Sequence, residues 1–140
     1  MANARSAAQL LDAYPEHIRT LADATRRFVT RVLPDVDEGV DQTAPLLGYS
    51  YGPGYRGAVA TIILSKTGVK LGIVGGATLP DPRGLLEGSG KVHRYVQLRT
   101  AADLERPGIS ALLKATNRIC RARLAGAAPN AGRTSARLRA

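Results

Sequence analysis

Residues 58–74 read AVATIILSKTGVKLGIV, and the fold follows from how this stretch divides. Ala58 to Ser65 is a β-branched apolar run, Val69 to Val74 is a second, and Lys66-Thr67-Gly68 lies between them. Two such runs joined through a short polar link ending in Gly predict a β-hairpin. On its N-terminal side, Leu47, Tyr49 and Tyr51 alternate with Leu46, Gly48 and Ser50, the two-residue period of a strand, closed by the Gly52-Pro53-Gly54 break. On its C-terminal side, Gly75 to Gly90 holds five Gly and two Pro, too many breakers for a regular element, and predicts a long surface loop. A fourth strand follows. Along it Val92, Val96 and Leu98 share one parity, interrupted by Arg94, while His93, Tyr95, Gln97 and Arg99 take the other face.

Helices flank this sheet in the chain. Pro15 suits a helix start, Glu16 falls in the acid-favouring first turn, and Ile18, Leu21, Ala22, Thr25, Phe28, Val29, Val32 and Leu33 recur at helical spacing. Arg26, Arg27 and Arg31 load the carbonyl end before Pro34 stops it, and Asp23 is placed to pair with Arg27. Thr100 with Asp103 reads as a capped turn, and Pro107-Gly108 resets the chain before a second helix. In that helix Ile109, Leu112, Leu113, Thr116, Ile119, Cys120 and Leu124 form one stripe, with Gly126 as its stop. Each helix has one apolar stripe and the sheet one apolar face. The expected fold is therefore α+β, a two-layer sandwich of about four antiparallel strands with the N- and C-terminal helices on one face. Residues 1–9 read as a flexible lead-in, 10–125 as a single domain, and 126–140 as a basic disordered tail.

Composition narrows the function classes. A chain of 140 residues fits one domain, and at that size roughly two-thirds of the unfolded surface can be buried without disulfides or metal. Cys120 is the lone cysteine. No leader pattern stands near the start and no run reaches the roughly 18 apolar residues of a membrane span, so a cytoplasmic protein is expected. The net charge of +9 is not spread evenly: residues 1–81 carry 8 basic and 8 acidic groups, residues 82–140 carry 12 and 3. Such polarity attracts phosphates and acidic surfaces.

Three stretches carry a family resemblance. Leu11-Asp12-Ala13-Tyr14-Pro15, the loop Leu79-Pro80-Asp81-Pro82 through Leu85-Leu86-Glu87-Gly88-Ser89-Gly90-Lys91, and Val92-His93-Arg94-Tyr95-Val96-Gln97-Leu98 with Arg99 resemble the YdhG-like bacterial domain family. The resemblance runs from about Tyr14 to Leu124. That family is considered a distant relative of frataxin, which implies a two-layer helix and sheet sandwich and raises iron as a bound metal.

Four groups of residues are candidate sites. Asp35, Asp37, Glu38 and Asp41 put four carboxylates within seven residues, with no base among them. Oxygen donors suit hard cations, iron included, and frataxin-type proteins are similar in using an acidic ridge near this place. Lys91, Arg94 and Arg99 beside the Gly-rich turn form a candidate anion pocket. Gly88-Ser89-Gly90-Lys91 itself fails as a phosphate-binding loop, because Leu85 and Val92 stand where that motif needs Gly and Ser or Thr, and the loop enters a strand. Tyr49, Tyr51, His93 and Tyr95 could line a pocket. Lys114, Arg118, Arg121 and Arg123 with Arg133, Arg137 and Arg139 make a basic end that nucleic acid would accept, although the chain has only five Tyr and one Phe for base stacking. No nucleophile stands in a pattern with a base, so a non-enzymatic binding module is expected, binding a metal ion or small partner, or alternatively an anion or nucleic acid, as a monomer or homodimer.

Overall fold

A computed structural model describes residues 4–52 and 55–127. Among these residues three helices, α1 (Ala7–Asp12), α2 (Glu16–Val32) and α3 (Ile109–Ala127), accompany five strands: β1 (Asp37–Val40), β2 (Leu46–Ser50), β3 (Ala58–Leu64), β4 (Val69–Ile73) and β5 (Arg94–Leu98). The strands form one antiparallel sheet in the order β1-β2-β3-β4-β5, each paired with its neighbour in the chain. Helices α2 and α3 pack against β3 and β4 and against each other, and among the described residues no helix covers the opposite sheet face. The protein is thus an α+β two-layer arrangement.

Register explains which residues are covered. The cross-strand row Val40, Leu47, Ile62, Leu71, Val96 lies beneath the helices, and its last four members are fully buried. Ile18, Leu21 and Val29 from α2 and Ile109 and Leu113 from α3 close over it. Each fully buried Leu, Ile or Val side chain contributes about 1.5–3 kcal/mol of transfer free energy. The two buried threonines are satisfied: Thr25 Oγ1 donates to Leu21 O at 2.8 Å, and Thr116 Oγ1 donates to Val74 O at 2.7 Å, tying α3 to the end of β4. On the open face the row Gly39, Gly48, Thr61, Gly72, Tyr95 has three positions without side chains.

The hairpin at the centre forms as its sequence requires. Ser65 Oγ accepts from the amides of Thr67 and Gly68 and donates to Gly68 O, so one hydroxyl organises the turn. Several boundaries depart from expectation. Helix α1 begins inside the expected lead-in, with Ser6 and Gln9 capping it reciprocally, and Arg5 pins the chain by donating to Asp41 O at 2.9 Å and to Ala44 O. The acidic segment after α2 includes an edge strand, β1, which makes five strands where about four were expected. Strand β5 begins at Arg94, leaving Val92 53% exposed. The Gly75 to Gly90 segment contains a 3-10 turn at Gly76–Thr78, buries Leu79, and returns to bridge Glu87 with Tyr95. Asp23 pairs with Arg26 rather than Arg27. Helix α3 passes Gly126 without stopping; the rest of the expected tail, 128–140, lies outside the described residues.

Candidate functional site

The four carboxylates after α2 do not converge. Asp35 sits at the corner with φ 66° and is exposed, and Asp37 lies on the open face of β1. Glu38, one step on, shares its row with Tyr49 on the helix side and is engaged there. Its carboxylate accepts two hydrogen bonds from the Arg26 guanidinium, both at 2.9 Å, and one from the Tyr49 hydroxyl. Burial pushes the Glu38 acid up, but the Arg26 and Tyr49 hydrogen bonds outweigh it and hold the group below the usual carboxylate range. Burial and the same bond push the Tyr49 phenol well up, and Glu38 keeps Arg26 more firmly protonated. Asp41 instead accepts from Thr43 N, Thr43 Oγ1 and Ala44 N, bonds that lower its pKa and close the β1–β2 turn. Among the described residues no three His, Cys, Asp or Glu side chains are placed to hold a metal ion. The acidic segment is spent on strand-edge and turn geometry, so the expected cation site is not assembled.

The basic trio is also divided. Lys91 is exposed in the loop, and Arg94 donates to Gly90 O at 2.7 Å. Arg99 stands beyond the far end of β5, five residues or roughly 17 Å along an extended strand from Arg94, and its backbone amide is held by Asp103. The tyrosines point different ways. Tyr49 is buried under the helices; Tyr51 donates to Pro34 O at 2.9 Å and carries the Arg121 guanidinium 4.4 Å from its ring centroid. Tyr95 is on the open face with Lys70 Nζ 4.5 Å above its ring. His93 Nδ1 accepts from Gly75 N at 3.0 Å, fastening the two ends of the long loop together. The expected common pocket of Tyr49, Tyr51, His93 and Tyr95 therefore does not form, because the sheet separates its members.

What the structure assembles is a groove of about 310 Å³ between the 80–85 loop and α3. Pro80, Pro82 and Leu85 form one wall, and Ala111, Leu112 and Ala115 the other. The loop wall is held by Asp81, whose two carboxylate oxygens accept from Leu85 N and Leu86 N at 2.9 Å each. Arg83 and Arg118 also line the groove, and among the described residues neither side chain makes a hydrogen bond or ion pair. Sequence reasoning missed this site because Ala111 and Ala115 fall outside the apolar stripe of α3 and carry no chemistry-bearing group. Their spacing of four residues beside Gly108 was the available signal, since small residues on successive turns leave a depression. Comparison with protein-family models, with curated proteins and with solved structures found no match to this chain.

Proposed function

We propose that this domain is a non-enzymatic module that binds phosphate-bearing polyanions through the basic surface of its second half. The observation that carries the reading is α3, where Lys114, Arg118, Arg121 and Arg123 stand in nineteen residues with no Asp or Glu. The three acids of the second half, Glu87, Asp103 and Glu105, all lie outside α3. Arg121 and Arg123 are preorganised, the first over Tyr51 and the second through two hydrogen bonds to Arg56 O at 3.1 and 2.8 Å. Lys114 and Arg118 are exposed on the preceding turns of the helix. Kinship with the YdhG-like family belongs to the same proposal, on the order of elements. Iron binding is not part of it, for want of converging carboxylates.

The test is anisotropy of a labelled 20-nucleotide single strand against the full chain. If four cations meet phosphates, the log–log salt slope should be about −2.8, so affinity falls about fifty-fold between 50 and 200 mM salt. The charge reversals Lys114→Glu and Arg118→Glu should flatten that slope. No binding, or affinity indifferent to salt, overturns the proposal.

A further inference from the structure

We infer that the groove between the 80–85 loop and α3 is a binding site for a small organic anion with an apolar body. Its volume, about 310 Å³, is roughly twice the ~150 Å³ cavity that accepts benzene and falls at the lower end of ligand pockets. The floor is apolar, built from buried Leu112 and half-buried Leu85 and Ala115. The walls are set in advance. Two prolines stiffen the loop, Asp81 locks it through two amides, and Gly84 and Gly108 occupy φ of +64° and +102°, which side-chain-bearing residues avoid. A preformed wall reduces the ordering cost of binding.

Charge selects the occupant. The Arg83 side chain crosses the α3 start, its Cδ 3.0 Å from where a Cβ on Gly108 would stand. Arg118 lies ten residues further, about 15 Å along the helix axis. Two guanidiniums without partners among the described residues thus bracket an apolar trough, and the one lining acid, Asp81, already has both oxygens hydrogen-bonded to backbone amides. Guanidinium pairs with carboxylate or phosphate in a two-pronged geometry, so an anionic head and an apolar body together satisfy what is present. An inorganic anion would leave the floor wet. A neutral hydrocarbon would leave both arginines unpaired.

The experiment titrates 2-naphthoate, 2-naphthyl phosphate and the neutral 2-naphthalenemethanol into the ¹⁵N-labelled full chain, following the amides of Ala111, Leu112 and Ala115. Either anion should shift these amides saturably and bind at least tenfold tighter than the alcohol. Arg83→Gln and Arg118→Gln should each remove most of that preference. Ala111→Phe, at an exposed helix position, should fill the trough and weaken the anions at least tenfold while leaving single-stranded DNA binding unchanged. Equal affinity for the alcohol, shifts centred elsewhere, or indifference to Ala111→Phe would overturn the inference. DNA binding and naphthoate binding can fail separately, so each claim meets its own result.

Discussion

Strand parity, rather than charge, sets Glu38 beside Tyr49. By type and neighbourhood it belongs with three other carboxylates; by position it belongs with Tyr49, because residues 38 and 40 share the helix-side parity of β1. Charge counting cannot see that parity, and the strand that confers it is only four residues long. Its side chain retains 24% exposure. With Arg26 and Tyr49 attached, the carboxylate is stabilised in its ionised form in the folded state. The unfolded state therefore takes up a proton first as the pH falls. The contribution is complete above the ordinary carboxylate pKa and is lost as the pH drops through the lowered folded value. Glu38→Gln should consequently be less stable than the parent by about 1–2 kcal/mol at pH 7, with the two converging towards pH 3. Urea unfolding across that range checks this, and a gap independent of pH would refute it.

At the scale of elements, the long periodic segments were legible and the short ones were not. Helix α2 and the hairpin β3–β4 carry enough apolar residues for their periods to show. Helix α1 has six residues, too few for a period, yet its signature was present as Ser6 and Gln9 three residues apart. Both halves of that box are made, Gln9 N donating to Ser6 Oγ at 3.1 Å and Ser6 N donating to Gln9 Oε1 at 2.7 Å. Ser6→Ala should lower stability by about 1 kcal/mol. The change should appear as a lower urea midpoint at unaltered slope, since α1 remains part of the core through Leu10 and Leu11. A midpoint equal to the parent's would mean that the cap contributes nothing. Strand β5 was legible in kind but not in extent: Val92 looked like a core residue by parity, but the sheet ends before reaching it.

For the whole molecule, the two-layer plan was readable because each layer announces one apolar surface. The groove was not, since it arises where a loop meets a helix more than twenty residues later, and no local pattern encodes that meeting. Cys120 reports on how firmly the layers hold together. Its thiol is 1% exposed and donates to Arg56 O at 3.6 Å. A thiol reagent should therefore label the native chain at least a hundredfold more slowly than the urea-unfolded chain, at a rate tracking the opening of α3. Labelling at equal rates would show that α3 does not rest where it is described.

The borders of the sheet carry one more consequence. Along β1, the Val40 carbonyl accepts from Gln42 Nε2 and the Asp41 carbonyl from Arg5, while Asp37 and Glu38 add negative charge. Along β5, Tyr95 already exchanges both backbone hydrogen bonds with Glu87. Among the described residues both flanks are thus partly occupied by the chain's own groups, which disfavours association by adding a sixth ribbon. That leaves the side chains of the helical layer and the glycine-lined back of the sheet as the broader surfaces for recognition.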